Sequence, residues 1–431
     1  MNLRQSPPLG RRSILRRLLK ITIWLGGGAL VLLLILVGVA FLLLHEVPRH
    51  YTAAVNPIGP PPQVSDADLA SDGFASPYLG HTGSWDGKGG GMWGSSKIPD
   101  LDREVAMGLR WTFMAVNWSA MEPDGPVDLS KGVPPAWSEL DGFLTEAHKR
   151  RLNVLMQIVI GGNAGGPPKW AGRREAGKSA PTNMPAAAAF AGKLAERYAP
   201  GGSLGTKLGW PPHDGVRAWE LDNEPESYRT CWKGQAGDYA EFATRAAARI
   251  KQFDPHAVIV LPATAGGTHA LPWIEAALDA HGMPGSPIYR QRNVPYSIGP
   301  VADVVSFHCY EGLETAFTGS DRTIVDDFLD VRTAFEKWES RSDGFHFVRK
   351  QEYWHTEGNF DFLGILSAKR RAAWRMQFFT RAFAAGIRKV CVMDPSEPER
   401  IAVKAYIHAL PWPFPMKLAD DQVTVTAGRA T

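Results

Sequence analysis

Residues 216–225 of this 431-residue chain have the sequence VRAWELDNEP, in which an apolar run leads into an amide, a carboxylate and a proline. The β-branched and aromatic residues from Val216 to Leu221 predict a short buried strand, and Pro225 predicts a turn directly beyond it. Asn223 and Glu224 therefore stand side by side where this strand ends. A barrel of parallel strands presents carboxylates in that position at its active face.

A second strand-like run ends in the same way far downstream. Residues 351–359, QEYWHTEGN, are rich in aromatic side chains and end in Glu357, which a glycine follows. Two carboxylates at the ends of different strands are the minimum equipment for cleaving a glycosidic bond, one as proton donor and one as nucleophile or base. The alternative is a plain strand-end turn in which Asn223 caps and Glu224 is solvated, because an Asn-Glu-Pro tripeptide arises by chance in roughly one chain in twenty of this length.

The rest of the chain decides between these readings, because β-rich apolar runs alternate with amphipathic helical patterns throughout residues 73–415. The predicted strands are Pro77–Gly83, Leu109–Val116, Leu152–Ile160, Val216–Leu221, Ala257–Leu261, Val301–His308, His346–His355 and Lys389–Met393. The predicted helices are Pro99–Gly108, Ala136–Arg151, Pro185–Ala199, Asp238–Phe253, Leu271–Gly282, Arg322–Ser340, Ala368–Ala385 and Glu399–Leu410. Eight strands, each followed by a helix, predict an α/β fold that closes as a (β/α)8 TIM barrel.

A membrane anchor is predicted ahead of the barrel. Residues 21–44 form an uncharged run of 24 residues, and six basic residues precede it. About 20 apolar residues suffice to span a bilayer, whereas the alternative, a cleavable signal peptide, usually has an apolar core of about 7–15 residues. The basic flank at residues 1–20 predicts a cytoplasmic N-terminus, with the body periplasmic or extracellular. Residues 45–72 are predicted as a Pro-rich linker and 416–431 as a C-terminal tail.

Charge and cysteine content exclude several classes of function. The formal net charge is +3, and the six basic residues of the anchor flank account for this excess. A near-neutral body argues against nucleic-acid binding, which requires a basic face or stripe. The cysteines, Cys231, Cys309 and Cys391, are widely spaced and form no Cys-x-x-Cys pair, so neither a zinc site nor a disulfide framework is indicated. No metal and no cofactor are predicted.

On this barrel, Glu224 ends the fourth strand and Glu357 ends the seventh, and this arrangement closely resembles clan A of the retaining (β/α)8 glycoside hydrolases. Residues 109–123, LRWTFMAVNWSAMEP, look like the second-strand pattern of that clan, in which Trp-Ser-x-x-Glu-Pro recurs. Residues 304–310, VVSFHCY, look like its sixth strand. Among the families, the chain is most similar to family 39 and the related exopolysaccharide hydrolases.

The resemblance implies a role for each matching residue. Glu224 would be the general acid/base and Glu357 the nucleophile, while Asn223 would hold the 2-hydroxyl of the sugar. His308 and Tyr310 would orient the site, with Tyr310 contacting Glu357. Independently of the resemblance, strands four and seven face each other across a barrel mouth, and a retaining enzyme needs carboxyl groups about 5–5.5 Å apart.

The chain departs from the clan pattern in two places. An Arg is usual on the second strand near the position of Phe113, and a Trp is usual on the eighth, where this chain has Val392-Met393-Asp394. Trp170, Trp210 and Trp354 are available to replace the missing Trp. Trp354 and Trp170, together with His81, are predicted to contact substrate, although loop packing is an even alternative for His81 and Trp85.

Structural roles, and not catalytic ones, are predicted for the acids and the large aromatic residue near the two motifs. Glu122 is predicted to stabilise a turn and Trp118 to pack in the barrel. Strand alternation is expected to point Glu220 and Asp222 away from the site.

The predicted function is a retaining glycoside hydrolase acting on a cell-surface or exported polysaccharide. The alternative is an inactive glycan-binding barrel in an envelope or polysaccharide-export assembly. Transglycosylation would use the same two glutamates as hydrolysis.

Overall fold

A computed structural model of the chain describes residues 76–80, 84–85, 98–161, 167–172, 180–226, 236–265, 270–278, 296–310, 324–341, 352–358, 367–393, 395–409, 416–419 and 422–425, together with Leu33 and Leu36. It divides into two compact units. One unit comprises residues 1–50 and 312–321, of which only Leu33 and Leu36, both helical, are described. The other unit comprises residues 51–311 and 322–431 and contains the barrel.

Eight parallel strands form the barrel in the described part of the second unit. They are β1 (Tyr78–Gly80), β2 (Trp111–Asn117), β3 (Asn153–Val159), β4 (Ala218–Leu221), β5 (Val258–Thr264), β6 (Val304–His308), β7 (Glu352–Glu357) and β8 (Lys389–Val392). Each strand pairs with the next along the chain, and the barrel closes because β1 pairs with both β2 and β8. A two-residue strand, Ser84–Trp85, extends the sheet beside the end of β2. The predicted (β/α)8 barrel is confirmed.

The main helices follow the strands in alternation. They are α1 (Ile98–Met107), α2 (Pro135–Lys149), α3 (Met184–Tyr198), α4 (Ala236–Phe253), α5 (Ala270–Leu278), α6 (Ile324–Arg341), α7 (Ala368–Ala385) and α8 (Glu397–Ala409). Short turns of helix lie at Trp118–Met121 and Ser203–Leu208, with 3-10 turns at Leu129–Lys131 and Lys169–Ala171. Each predicted strand and helix overlaps an observed one. The segment predicted as a tail contains an antiparallel hairpin, Met416–Ala419 with Gln422–Val425.

Two strands continue at least two residues beyond their predicted ends, both at the carboxyl end of the barrel. The seventh strand was expected to stop at His355, but β7 continues to Glu357, which pairs with His308 of β6. The fifth was expected to stop at Leu261, ahead of a proline. Instead β5 continues to Thr264 with an irregular register after Leu261, because Ala263 takes a positive φ of 51° and rejoins the sheet.

Apolar side chains fill both sides of the sheet, as expected for parallel strands that are covered on both faces. The larger core lies between the strands and the helices. Inside the barrel, a smaller apolar cluster comprises Leu79, Trp111, Phe113, Ala115, Leu155, Ala218, Val260, Val304 and Trp354. Further along the same strands, toward their carboxyl ends, the interior becomes polar. That polar end carries the predicted site.

Among the described residues, none of the helices combines the length and the apolar character needed to cross a membrane. The predicted anchor at residues 21–44, its flank at 1–20 and the linker at 45–72 lie outside the described residues apart from Leu33 and Leu36.

Candidate active site

The chain turns sharply where β4 ends. Asp222 and Glu224 have positive φ values of 67° and 43°, a left-handed conformation that few non-glycine residues adopt and that Asp tolerates better than most. The Asp222 N–H donates to the Ile158 carbonyl at 3.0 Å, and the Glu224 N–H donates to the Ala263 carbonyl at 2.9 Å. Asp222 Oδ1 also accepts from the Asn223 N–H at 2.9 Å. Bonds to both neighbouring strands therefore hold Asn223 and Glu224 in place, and strain of this kind clusters at functional sites.

Glu357 is placed by a close contact between the end of β7 and the residues that follow β6. The Cys309 N–H donates to the Glu357 carbonyl at 3.2 Å. A Cβ on Gly358 would lie 2.0 Å from the Cys309 carbonyl oxygen, so only glycine fits after Glu357 without separating the two strands. This close approach brings the Tyr310 hydroxyl to Glu357, where it donates to Oε1. The contact between Tyr310 and Glu357 is the one that the resemblance implied.

His308 lies between the two carboxylates. Its side chain is fully buried, whereas those of Glu224 and Glu357 are 15% and 11% exposed and so remain accessible from the barrel mouth. His308 Nδ1 is 3.0 Å from Glu224 Oε1 and 3.9 Å from Glu357 Oε2. One oxygen of each carboxylate and one nitrogen of His308 all lie within 4.8 Å of one another. The structure therefore brings together the fourth- and seventh-strand glutamates that the sequence singled out.

This concentration of negative charge alters the protonation of its neighbours. Burial by itself would lower the pKa of His308, but the charges of Glu357, Glu224 and Glu220 and the hydrogen bond to Glu224 raise it to about 9. Burial and the charge of Glu357 raise the pKa of Tyr310 far above its ordinary value. At neutral pH, His308 is therefore a cation and Tyr310 a neutral hydrogen-bond donor.

The separation of the carboxylates selects among chemistries. One oxygen of Glu224 and one of Glu357 lie within 4.8 Å of each other. Such a close approach favours a retaining glycosidase, whose carboxyl groups are about 5–5.5 Å apart, over an inverting enzyme, which leaves about 6.5–9.5 Å for a water. Glu224, His308 and Glu357 are also close enough to ligate one cation. As a ligand of such a cation, His308 would bind in its deprotonated form.

A layer of polar side chains lies beneath the site, inside the barrel. Glu220 of β4 is completely buried, and its Oε2 accepts from Gln157 Nε2 of β3 at 2.8 Å. The expectation that Glu220 points away from the site is wrong, because a two-residue period places Glu220 on the same face of the strand as Glu224. Gln157 was missed. Its signal is a lone amide in the otherwise apolar strand NVLMQIV.

The prediction that Trp354 contacts substrate is also wrong. Its side chain is 2% exposed and belongs to the apolar cluster inside the barrel. Its ring packs edge-on against Trp111 at 5.6 Å, and its Nε1 donates to Glu352 at 3.0 Å. Trp354 precedes Glu357 by three residues, so it lies deeper in the barrel than the mouth. Phe113, at the position where the clan carries Arg, packs in the same cluster.

Trp170 occupies a structural position near the end of β2. It is partly buried, its Nε1 donates to the Glu122 carbonyl at 2.7 Å, and its ring packs edge-on against Trp118 at 5.3 Å. The Glu122 carboxylate accepts from Trp118 Nε1 and from the Val127 N–H, each at 2.9 Å. The structural readings of Glu122 and Trp118 are thus confirmed. A sugar contact by Trp170 stays a prediction.

The other aromatic candidates contribute less to the described site. His81 lies outside the described residues. Trp85 lies in the short strand beside β2. Trp210 stacks on His148, with the ring centroids 4.1 Å apart.

No protein-family model matches the chain, and no curated protein matches it. Solved structures do resemble it. A glucosidase from Croceicoccus marinus aligns over 77% of this chain and 66% of its own, with 14% identity and a TM-score of 0.49. The exo-beta-1,4-mannosidase Op5Man5 from Opitutaceae bacterium strain TAV5 aligns over 77% of this chain and 59% of its own, with 15% identity and a TM-score of 0.47.

A GH39 enzyme from Xanthomonas axonopodis pv. citri also aligns, over 88% of this chain and 73% of its own, with 14% identity and a TM-score of 0.48. Family 39, which the sequence motifs resemble, is thus represented among the similar structures. The activities in these names are those of the similar proteins. For this chain, the geometry of the two glutamates carries the functional conclusion.

Proposed function

We propose that this protein is a retaining glycoside hydrolase that uses Glu224 and Glu357 in a double displacement. One observation carries the proposal: an oxygen of Glu224 and an oxygen of Glu357, from the ends of β4 and β7, lie within 4.8 Å of each other beside the buried His308, and both side chains are still partly exposed. A plain strand-end turn requires neither this convergence nor the positive φ of Glu224.

In the first step, an oxygen of Glu357 attacks the anomeric carbon of the sugar while the bond from that carbon to the leaving oxygen breaks. Glu224 gives its proton to the leaving oxygen, so that a neutral alcohol departs. Tyr310 donates to Oε1 of Glu357, which orients the carboxylate for attack. The product is a glycosyl ester of Glu357, and the carboxylate charge is neutralised.

In the second step, water attacks the anomeric carbon and the bond to Glu357 breaks. Glu224, now ionised, accepts the proton of that water and is ready for the next cycle. His308 donates from Nδ1 to Glu224, so its positive charge stabilises Glu224 in this ionised form. Two inversions at the same carbon leave the sugar with its original configuration.

We further propose that residues 21–44 tether the protein to a membrane, with the barrel facing outward, and that its substrate is a cell-surface or exported polysaccharide. The support is the uncharged run with its basic flank and the near-neutral charge of the body. Neither a cofactor nor a nucleic acid has a part in this mechanism.

Small nucleophiles test the two assignments separately. The full-length protein in detergent is assayed on aryl glycosides of different sugars and on bacterial exopolysaccharides, beside Glu224→Ala and Glu357→Ala. Azide should rescue both variants on activated aryl glycosides. In Glu357→Ala it replaces the nucleophile and gives a glycosyl azide of inverted configuration. In Glu224→Ala it attacks the glycosyl ester and gives the retained configuration. Glu397→Ala, an exposed glutamate of α8, is the matched control.

Other results would change the proposal. Identical product configuration from both variants would contradict the division of roles. Glycan binding by a wild-type protein that never releases a reducing end would replace the hydrolase with the glycan-binding barrel. Release of longer oligosaccharides in place of hydrolysed products would make the protein a transglycosylase.

A further inference from the structure

We propose that Gln157 and Glu220 are positioning residues that orient the Asn223 amide toward the 2-hydroxyl of the sugar. The inference rests on the proposed hydrolase function. It concerns three side chains at the carboxyl end of the barrel: Gln157 of β3, Glu220 of β4 and Asn223 of the turn after β4.

The three side chains form a continuous chain of hydrogen bonds. Gln157 and Glu220 are direct partners in the register of β3 and β4. The Gln157 amide nitrogen donates to Glu220 Oε2 at 2.8 Å and to Asn223 Oδ1 at 3.1 Å. The Gln157 amino group thus links the buried Glu220 carboxylate to Asn223, which precedes the proposed acid/base Glu224.

This arrangement fixes which way the Asn223 amide faces. An amide nitrogen donates and does not accept, so Asn223 presents its carbonyl oxygen to Gln157. The Asn223 amino group then lies on the opposite side of that amide, directed away from Gln157. A sugar hydroxyl meeting that side meets a donor. Gln157→Met removes this donor to the Asn223 oxygen.

The location of this pair argues against a purely structural role. Two residues earlier on the same strands and on the same interior face, Leu155 pairs with Ala218, and both are apolar. At the next position on that face, the strands carry Gln157, which is 2% exposed, and Glu220, which is fully buried. Burying a carboxylate is costly, and an apolar pair of similar volume is commonly as stable or more stable. Packing alone would favour continuing the apolar layer.

The test compares aryl glycosides with their 2-deoxy counterparts, because only the former have the hydroxyl. In Gln157→Met, kcat/KM should fall about 10-fold or more on the 2-hydroxy substrate and change little on the 2-deoxy substrate. Glu220→Gln should keep most of the activity, since its amide carbonyl still accepts from Gln157. Leu155→Met, one interior layer below, is the control and should affect both substrates equally.

A double-mutant cycle separates orientation from general damage. In an Asn223→Ala background, Gln157→Met should have no further effect on the 2-hydroxy substrate, because the amide that it orients is gone. Thermal unfolding of each variant establishes that the compared proteins are folded.

Equal losses on both substrates, or an undiminished loss in the Asn223→Ala background, would overturn the positioning role while leaving the hydrolase intact. A folded wild-type protein that cleaves neither substrate, nor any other glycoside, would instead overturn the hydrolase assignment, and the positioning role with it.

Discussion

The interior of the barrel has an apolar lower half, which contains Trp111 and Trp354, and a polar upper half, which contains Glu224, His308 and Glu357. Each half also holds one buried basic side chain. In the lower half, Lys389 lies against the faces of Trp111 and Trp354, with Nζ 4.2 and 4.9 Å from the ring centroids. Burial lowers its pKa to about 7, against the opposing charge of Glu352. In the upper half, His308 is equally buried, yet its pKa is raised to about 9.

The difference lies in the neighbours and not in the depth. The aromatic faces, the Ser76 carbonyl to which Lys389 Nζ donates, and the charge of Glu352 do not offset the desolvation that lowers the pKa of Lys389. Three carboxylates more than compensate His308. The lower half therefore packs as part of the core, and the upper half holds charged groups close together. The predictions below are ordered from the largest expected effect to the smallest.

Removing the nucleophile should produce the largest effect, confined to the upper half. Glu357→Gln keeps the volume of the side chain but removes its charge, so kcat should fall about 1,000-fold or more with little loss of stability. Steady-state rates and thermal unfolding measure the two quantities. Glu397→Gln is the control, and a folded Glu357→Gln protein with wild-type turnover would disprove the nucleophile assignment.

Removing an aromatic ring from the lower half should reduce the stability of the protein and leave its activity unchanged. Trp354→Ala opens a cavity beside Trp111 and should lower the free energy of unfolding by about 3–5 kcal/mol, while the folded protein keeps its kcat. Urea unfolding and kinetics at a permissive temperature check both. Trp354→Phe should lose much less stability. If Trp354→Ala kept its stability but raised KM for sugars, Trp354 would be a substrate contact after all.

The two cations should give pH dependences of opposite sign. The folded-state pKa of His308 is raised, so its stabilisation is complete below its unfolded pKa of about 6.5 and is lost as pH rises to about 9. The folded-state pKa of Lys389 is lowered, so its charging penalises the fold below about pH 7 and the penalty disappears by about pH 10.4.

The measurement is the unfolding free energy of the wild type minus that of each variant, His308→Gln or Lys389→Met, followed from pH 6 to 10.5. This difference should fall with pH for His308 and rise with pH for Lys389. Parallel slopes would show that the carboxylates do not hold His308 in its charged form.

Removing one hydrogen bond from the upper half should have the smallest effect. Tyr310→Phe removes the donor to Glu357 Oε1, and a hydrogen bond to a charged group contributes about 1.5–3 kcal/mol. The resulting fall in kcat should be about 10- to 100-fold, compared with full loss in Glu357→Gln. Tyr296→Phe, on the outer side of the barrel where the hydroxyl accepts from Arg245, is the control. Equal rates in Tyr310→Phe and wild type would mean that the contact is dispensable.

The sequence predicts the barrel well because parallel strands and their helices repeat a local pattern eight times. It also predicts that Glu224 and Glu357 converge, since each follows or ends a recognisable strand, and the resemblance to clan A implies that His308 and Tyr310 lie with them. It failed where depth along a strand matters. Trp354 is aromatic and near Glu357, but three residues carry it from the mouth into the apolar layer.

Other features depend on contacts between strands and leave little local signal. The continuation of β5 past Pro262 depends on the positive φ of Ala263 and on the bond from its N–H to Ser306 Oγ. The link from Gln157 to Asn223 requires the register of β3 on β4, which no single segment encodes.

The turn after β4 has a consequence for protein engineering. The Glu224 N–H donates to the Ala263 carbonyl and the Asp222 N–H donates to the Ile158 carbonyl, so the backbone of this turn is hydrogen-bonded to strands on either side. Residues 216–225 transplanted alone into another barrel would keep their sequence but lose the hydrogen bonds that fix the backbone conformation of the turn. A functional graft has to bring the ends of three adjacent strands together.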